Sequence, residues 1–556
     1  MNKDKLLQIY ASSFCQNWGL PALTDYSTGS TMTYADLARR IEATQMLFRE
    51  IGIKRGDKVA LMGKNSMSWV VTYMATLTYG AVIVPVLNEF NVQDAMHIIN
   101  HSESVALFTS DAIFESMEFE KIPLVKAVFS LDSRKVLAEH PSSNHTAERF
   151  IAKLPDRMRR KYPHGFTSAD VNYPDVNEDD VAEINYTSGT TGFSKGVMLT
   201  YRNLKGNTVF GMDSHLHYRG SRCLAFLPLA HAYGCAFDML VPLAVGTHIT
   251  ILGKMPTPKL LLKAFSEVKP NLILCVPLIL EKIYRNKLRP ILDKGYVKRM
   301  LMVPGVNRMV YRKICNQLVQ AFGGEFEQVI VGGAPLNHEV EKFLHTIGFP
   351  FTVGYGMTEC GPLISYTYWR KFLIGSSGRV LPGIMEAKIA DSKDPANVPG
   401  EICVRGENVM KGYYKNPEAT EAVLDAEGWL HTGDMGTLSH DNTIFIRGRY
   451  KTMILTSNGQ NIYPEEIEAK LNNMPFVGES LVVERGKQLV ALVYPDYEAM
   501  DREHISNEKL PEIMETVRTE LNKLVAPYER IDKIQLIANE FEKTPKRSIK
   551  RYLYNA

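Results

Sequence analysis

The sequence lacks a long hydrophobic run. Its most apolar stretch, residues 272–280, is nine residues long and contains Pro277, whereas a membrane-spanning helix needs about 20 apolar residues. The first residues of the chain also lack the apolar core of a signal peptide. We therefore expect a protein that does not span a membrane, and a peripheral contact with a membrane surface stays open.

Paired cysteines are missing as well. None of the seven cysteines forms a CxxC motif, and they are spread along the chain at positions 15, 223, 235, 275, 315, 360 and 403. This spacing fits neither a disulfide framework nor a zinc site. It is typical of a reducing compartment, so the sequence predicts a cytoplasmic protein.

An excess of charge of one sign is also absent, with 64 basic residues against 61 acidic ones and a formal net charge of +3. This balance predicts no nucleic-acid partner. One segment departs from it: residues 282–313 contain ten basic residues and a single acid, Asp293, with apolar residues between them. The segment is either a solvated helical face or a docking site for an anionic membrane surface or an acidic carrier protein.

Alternating strand and helix patterns indicate the fold class. Thr33 is suited to cap a helix, and strands at 58–62 and 81–86 flank a buried helix at 69–79. Similar apolar strands are predicted at 105–108, 127–131, 182–186, 224–227, 250–252, 272–276 and 328–331. Such alternation predicts parallel sheets covered by helices. Residues 133–180 are polar and are predicted to be surface elaboration.

The pattern changes after about residue 450. Strands at 480–484 and 489–494 are predicted to form a hairpin, and an amphipathic helix from Leu510 to Leu524 precedes a strand at 533–537. We therefore predict an α/β protein of two domains. Residues 1–450 form a large N-terminal domain of packed mixed and parallel sheets with helices, and residues 451–556 form a small, mobile C-terminal α/β lid.

Residues 186–196 follow a predicted strand and combine three glycines with hydroxyl side chains and Lys195. Glycines let backbone N–H groups approach an anion, hydroxyls add donors, and lysine supplies charge for the β- and γ-phosphates. A Walker A loop requires GxxxxGK[ST], but here Lys195 precedes Gly196. A phosphate-binding loop of another type is predicted, with a flexible polar linker as the alternative. Its candidate ligands are Thr187, Ser188, Gly189, Thr190, Thr191, Gly192 and Lys195.

Further motifs follow in a fixed order: PLAHAYG at 228–234, GGAPL at 332–336, GYGMTE at 354–359, GWLHTGD at 428–434 and RGRYK at 447–451. Together with the loop, they make the sequence resemble the adenylate-forming superfamily of acyl-CoA synthetases, luciferases and peptide-synthetase adenylation domains. The resemblance extends from residue 33 to about residue 551. The forms VMKGYY at 409–414 and SNGQNIYPEEIE at 457–468 are most similar to long-chain fatty acyl-CoA synthetases.

This resemblance implies a nucleotide site. The turn formed by Gly333, Ala334 and Pro335 would lie against the adenine, on which Tyr355, followed by Gly356, would stack. The Thr358 hydroxyl would meet the α-phosphate, and Glu359 would help to hold Mg²⁺, a cation that prefers carboxylate and phosphate oxygens. Asp434 would accept hydrogen bonds from both ribose hydroxyls, and Arg449 would contact the ribose.

The resemblance also implies an acyl site and a hinge. His231 would form the wall or gate of the acyl tunnel, although a buried structural histidine is the alternative. Lys451 would be the position about which the C-terminal domain rotates between the two half-reactions. Thr358, Glu359 and His231 are therefore candidate catalytic residues.

One motif departs from the family. The family pattern TPTGKIxR places a lysine between the carboxylate and the α-phosphate, but residues 544–551 read TPKRSIKR, with Ser548 at the lysine position. If the segment is extended, Lys546 points to the same face about 6–7 Å away. Our hypothesis is that Lys546 replaces the missing lysine as a catalytic residue. Arg547, Lys550 or a weakened adenylation step are the alternatives.

The expected function is ATP-dependent activation of a long-chain fatty acid. The acid would form an acyl-adenylate and then a thioester with coenzyme A, releasing pyrophosphate and AMP. ATP, Mg²⁺ and coenzyme A are the expected cofactors. An acyl-acyl-carrier-protein synthetase and a non-catalytic acyl- or nucleotide-binding homologue are the alternatives.

Overall fold

The computed structural model describes residues 4–143, 145–187, 195–455, 461–486, 488–544 and 549–554. Its largest sheet has eight strands, and the five central ones, from Val181–Thr187 to Ala127–Ser130, run parallel. In spatial order the strands are Gly412–Tyr413, Lys195–Thr200, Val181–Thr187, Val82–Val86, Lys58–Met62, Ser104–Thr109, Ala127–Ser130 and Val136–Glu139.

Six smaller sheets accompany the large one. Their strands, sheet by sheet, are Arg222–Ala225, His248–Ile251, Pro21–Asp25 and Thr31–Thr33; Leu272–Cys275, Gln328–Val331 and Phe351–Val353; Tyr355–Gly356, Leu363–Tyr366 and Arg379–Val380; Met385–Ile389, Gly400–Gly406, Leu430–Leu438 and Ile444–Arg449; Ile454–Leu455 and Asn461–Ile462; Val477–Arg485, Gln488–Pro495 and Lys533–Leu536. This mixture of parallel and antiparallel sheets confirms the predicted α/β class.

Helices cover the sheets. The α-helices among the described residues are Leu6–Gln16, Tyr34–Glu50, Met67–Tyr79, Val92–His101, Asp111–Phe114, Thr146–Ala152, Leu154–Lys161, Tyr201–Asp213, Ala232–Gly234, Val241–Val245, Pro258–Val268, Pro277–Ile283, Arg289–Leu292, Gly295–Met302, Val306–Ala321, His338–Thr346, Pro417–Glu421, Pro464–Leu471, Tyr497–Arg502 and Leu510–Leu524. Within the described ranges, no helix is both long and apolar enough to cross a membrane.

Local sequence signals explain where several elements begin. The Thr33 hydroxyl accepts a hydrogen bond from the Asp36 amide, and the Asp36 carboxylate accepts one from the Thr33 amide, which forms a capping box at the start of Tyr34–Glu50. Residues 133–180 contain more structure than predicted. Val136–Glu139 pairs antiparallel with Ala127–Ser130 and forms an edge of the large sheet. Its intermediate burial explains why no strand was expected, since neither face reads as continuously apolar.

Two main hydrophobic clusters correspond to a large N-terminal and a small C-terminal domain. The larger cluster begins at Leu6 and includes Ile444, and the smaller one begins at Ile462 and includes Ile531. The predicted boundary at residue 450 and the mobility of the lid stay predictions.

The basic segment contributes to the contact between the two domains. The Arg285 guanidinium donates to the Asn472 carbonyl at 3.2 Å, and that of Arg289 donates to the Asn473 carbonyl at 3.4 Å. The Asn337 side chain also reaches the Asn473 side chain at 2.5 Å. These carbonyls follow the helix Pro464–Leu471, whose C-terminal end favours positive charge. Part of the segment therefore packs against the small domain.

Candidate active site

The candidate site lies where three parallel strands end. Leu272–Cys275, Gln328–Val331 and Phe351–Val353 lie side by side in register. The turn at 332–335 follows the middle strand, and Gly354 and Tyr355 follow its neighbour. The carboxyl ends of parallel strands meet at one edge, which is where ligands bind in open α/β sheets. Gly333, Ala334 and Pro335 are exposed at this edge.

Tyr355, Asp434 and Arg449 meet directly. The Tyr355 hydroxyl donates to one carboxylate oxygen of Asp434 at 2.6 Å, and the Arg449 Nε lies 3.0 Å from the other oxygen. Asp434 and Arg449 are opposite each other on the antiparallel strands Leu430–Leu438 and Ile444–Arg449. A carboxylate has about four acceptor positions, so these two contacts leave room for two further donors. This geometry suits a diol such as ribose.

Burial raises the pKa of Asp434 above its ordinary value, while the charge of Arg449 and the hydrogen bond from Tyr355 oppose this shift. Asp434 and Tyr355 are both buried. Glu359 contributes a smaller upward effect on the same pKa, which places the predicted magnesium ligand close to the predicted ribose ligand.

Glu359 and Lys195 meet through Tyr413. The Tyr413 hydroxyl donates to a Glu359 carboxylate oxygen at 2.9 Å, and the Lys195 ammonium lies 4.7 Å from the centre of the Tyr413 ring. Thr358 is buried at the start of the same short helical turn as Glu359. A carboxylate, a hydroxyl and an ammonium in one place are the groups that a magnesium–phosphate complex requires. The donor set therefore fits Mg²⁺-bound ATP.

Gly356 is required where the two halves of this site join. A Cβ atom at Gly356 would lie 2.2 Å from the Pro362 carbonyl oxygen, which is closer than a side chain can approach. The glycine therefore allows the chain to pass between Tyr355 and Thr358 without displacing the facing strand.

A β-bulge directs Asp434 into the site. Cys403 pairs with His431 and Glu401 pairs with Met435, so two extra residues are accommodated on the strand that carries Asp434. Gly433 lies in the bulge with φ of +72°, a left-handed conformation that glycine adopts without strain. Bulges bend a strand and redirect its side chains, and they are common beside active sites.

Glu401 stabilises this bulge, and the sequence did not identify it. One of its carboxylate oxygens accepts from the Gly433 amide at 3.0 Å, and the other lies 2.8 Å from His431 Nδ1. The Cys403 sulfur is 3.5 Å from the same nitrogen. These three side chains are close enough to hold a metal, and burial, followed by the charge of Glu401, raises the pKa of the Cys403 thiol to about 11. The hydrogen bonds of Glu401 to the Gly433 amide and to His431 explain why these three side chains lie together.

We expect Glu401→Ala to raise the KM for ATP by about tenfold with a smaller change in kcat. The substitution leaves the Gly433 amide without its acceptor, a loss of about 1–3 kcal/mol, and loosens the bulge that positions Asp434. Steady-state kinetics at saturating acid would measure the effect. Glu386→Ala is the matched control, because Glu386 lies on the same sheet and pairs with Arg405 at its surface. An unchanged KM in the Glu401 variant would contradict this positioning role.

His231 precedes a short helix, Ala232–Gly234, that continues into the π-helical segment Cys235–Leu240. The buried Asn185 side chain donates to the Ala230 carbonyl at 3.3 Å, so the motif is held against the strand that leads into the phosphate loop. The Tyr233 hydroxyl donates to the Ile330 carbonyl at 3.0 Å. The motif thus connects the loop strand to the adenine-side strand, and the role of His231 as tunnel wall or gate stays a prediction.

Several predicted residues lie outside the described ranges: Ser188, Gly189, Thr190, Thr191, Gly192 and Lys546. Both ends of the phosphate loop are described, and Thr187 pairs with Lys195 across an antiparallel hairpin. Lys451 is exposed in a single helical turn, Tyr450–Thr452, just after Arg449. The Thr452 hydroxyl donates to Glu465 of the small domain at 2.6 Å. The predicted hinge therefore directly precedes a contact with that domain.

Comparisons with known proteins identify the family of this chain. The profile of the AMP-binding enzyme family matches residues 15–414. The chain is 30% identical over 498 residues to the long-chain-fatty-acid–CoA ligase FadD15 of Mycobacterium bovis, covering 84% of this chain and 78% of that protein. It is 31% identical over 494 residues to 4-coumarate–CoA ligase 1 of Oryza sativa subsp. japonica, with the same two coverages. ATP-bound MatB from Rhodopseudomonas palustris shares the fold with a TM-score of 0.74 at 23% identity, covering 98% of each chain.

The fold and the comparisons define an adenylate-forming enzyme that ligates an acid to coenzyme A and releases AMP. The chain belongs to the AMP-binding enzyme family. Enzymes of this class use ATP, Mg²⁺ and coenzyme A. The two curated relatives share nearly the same identity with this chain but are named for different acids.

Proposed function

We propose that this enzyme activates long-chain fatty acids and transfers them to coenzyme A in the cytoplasm, in peripheral contact with a membrane. The cluster of Tyr355, Asp434 and Arg449 is the observation that carries the nucleotide half of the proposal. The similarity to a long-chain-fatty-acid–CoA ligase supports the choice of acid. The motifs at 409–414 and 457–468, which resemble long-chain synthetases, add to that support.

In the first half-reaction, the fatty carboxylate attacks the α-phosphorus of ATP, a P–O bond to pyrophosphate breaks, and an acyl-adenylate forms. Asp434 accepts hydrogen bonds from the ribose, with its carboxylate held by Tyr355 and Arg449. The Thr358 hydroxyl donates to the α-phosphate, and Lys195 and the loop 188–194 hold the outer phosphates. Positioning and charge neutralisation do most of the catalytic work.

The donor set supports a magnesium site at Glu359. Glu359 would supply a carboxylate ligand, and its hydrogen bond from Tyr413 fixes the orientation of that carboxylate. When bound, Mg²⁺ neutralises phosphate charge. Tyr413 therefore acts as a positioning residue for Glu359.

In the second half-reaction, the small domain rotates about Lys451, and the thiol of coenzyme A attacks the acyl carbonyl. A C–S bond forms, the C–O bond to AMP breaks, and the thiol proton leaves to solvent. The Lys451 side chain is exposed between the two domains, which suits a hinge.

One experiment tests acid and acceptor together. The protein is incubated with ATP, Mg²⁺ and a panel of acids, with fatty acids of several lengths beside 4-coumarate and malonate, and with coenzyme A, acyl carrier protein or neither. Mass spectrometry then identifies the products. We expect fatty acyl-adenylate without an acceptor and fatty acyl-CoA with coenzyme A. A carrier-protein thioester alone would support the synthetase alternative, 4-coumaroyl-CoA alone would exclude the fatty acid, and no adenylate from any acid would support a non-catalytic homologue.

A further inference from the structure

The part of the basic segment that follows Arg289 forms a separate surface. It consists of the helix Gly295–Met302, the first two turns of Val306–Ala321 and the residues that flank and connect them. We call residues 291–313 the hairpin surface. The two helices pack against each other, and the connection between them contains Val303, Pro304 and Gly305.

The hairpin surface exposes large apolar side chains. Six of the nineteen exposed large apolar residues in the described ranges lie within it, although it spans only a small part of the chain. They are Ile291, Tyr296, Met300, Met302, Val303 and Met309, of which Met302 is 80% exposed and Met309 73% exposed. Contiguous exposed apolar side chains mark sites of contact with a protein or a membrane.

Cations accompany these apolar residues. The exposed basic side chains of the hairpin surface are Lys294, Lys298, Arg299, Arg308, Arg312 and Lys313. Asp293 is the only acid in the segment, and it lies 3.0 Å from the Lys298 ammonium. Arg308 and Arg312 are one helical turn apart and flank Met309. The surface is therefore both apolar and positively charged.

We propose that the hairpin surface docks on an anionic lipid membrane, with Met302, Val303 and Met309 entering the interface and the surrounding lysines and arginines contacting lipid phosphates. The inference rests on the proposed function for its purpose, because long-chain fatty acids partition into bilayers. Basic amphipathic helices bind membranes by this combination of apolar burial and attraction to anionic headgroups.

A bilayer fits this surface better than an acidic carrier protein does. An acidic carrier protein would complement the positive charge of this surface. Charge contacts alone, however, would leave the most exposed apolar side chains of the surface, Met302 and Met309, in water. Lipid covers both kinds of group at once, since lysine and arginine reach the headgroups while the apolar side chains lie deeper.

One helical run connects the hairpin surface along the chain to a strand that borders the candidate active site. The helical run that carries it begins at Pro277, directly after the strand Leu272–Cys275. The carbonyl of Cys275 accepts from the Gly332 amide at 3.0 Å, at the start of the adenine-side turn.

Vesicle co-sedimentation of the full-length protein tests the docking. Vesicles of phosphatidylcholine alone and vesicles with about 30% phosphatidylglycerol are compared at low and high salt. We expect binding to the anionic vesicles that weakens with salt. The variant Met302→Ser, Val303→Ser, Met309→Ser should lower the partition coefficient at least tenfold. The matched control Leu124→Ser, Met255→Ser, Val398→Ser, which alters equally exposed residues elsewhere, should bind like the unaltered protein.

Two results would overturn the inference: no binding of the unaltered protein to anionic vesicles at low salt, or equal binding of the two triple variants. Tighter binding of the hairpin surface to acyl carrier protein than to vesicles would replace the membrane with a protein partner. Acyl-CoA formation from detergent-dispersed acid, measured without vesicles, separates the two proposals. If no acyl-CoA forms in this assay, the proposed function is contradicted, and the vesicle experiment still tests membrane docking on its own.

Discussion

Replacing Asp434 by alanine should lower kcat/KM for ATP in adenylate formation by about 10²–10⁴-fold. Hydrogen bonds to a charged group contribute about 1.5–3 kcal/mol each, and the proposed arrangement has two of them from the ribose. The loss of the carboxylate also removes the partner of Arg449, which lies 3.0 Å away. ATP–pyrophosphate exchange measured over a range of ATP concentrations would show the effect.

Two further variants make this test specific. Asp441→Ala alters an exposed aspartate near the turn that joins the strands of Asp434 and Arg449, and it should leave the exchange unchanged. Tyr355→Phe keeps the ring for stacking but removes the donor 2.6 Å from Asp434, so a loss of about tenfold is expected. Full exchange activity in the Asp434 variant would rule out the carboxylate as the ribose ligand.

The local elements could be predicted because short-range signals determine them. The helix cap at Thr33 and the apolar strand at 58–62 are where the sequence placed them. The strand Val136–Glu139 was not predicted, because its residues are only half-buried and their pairing depends on a distant partner, Ala127–Ser130. Edge strands carry a weaker periodic signal, since one side of the ladder and much of each face are exposed.

The residues of the candidate site also fall into two groups, those that sequence motifs identify and those whose role depends on the fold. Motif residues such as Tyr355 and Asp434 were identified from the sequence, and the structure brings them together. Glu401 was missed because its role depends on the register between two strands and on a bulge, which local sequence does not specify. Tyr413 belongs to the segment 409–414, which resembles long-chain synthetases, but its contacts with Glu359 and Lys195 depend on the fold.

The structure gives two parts of the basic segment different surroundings, although the sequence suggests a single surface. The run of cations at 282–313 suggested one surface, yet Arg285 and Arg289 contact the small domain while the basic side chains after Asp293 are exposed. Domain contact and proposed membrane contact therefore occupy successive parts of one helical run. Charge alone does not distinguish them, because both the end of a helix and an anionic membrane favour positive side chains.

The second large effect is expected at Lys546, where alanine should lower the rate of acyl-adenylate formation by about 10³-fold. Two anions, the carboxylate and the α-phosphate, approach each other in this step, and removal of one fixed donor from such a site costs about 10²–10³-fold in kcat. Lys546 lies outside the described residues, but its flanks are described. Ile549 pairs with Lys543 across an isolated bridge, and Arg551 forms an ion pair with the buried Glu468, so the segment is held to the small domain on its C-terminal side.

Separate assays of the two half-reactions make this prediction decisive. Lys546→Ala should lower ATP–pyrophosphate exchange by about 10³-fold yet still convert chemically prepared acyl-adenylate to acyl-CoA, because the second step does not need a cation between carboxylate and phosphate. Lys550→Ala is the matched control, since the Lys550 ammonium lies 3.4 Å from Glu542 and is already paired, and it should retain exchange. Near-normal exchange in the Lys546 variant would end the hypothesis, and a loss confined to Arg547→Ala or Lys550→Ala would assign the missing lysine's role to that residue instead.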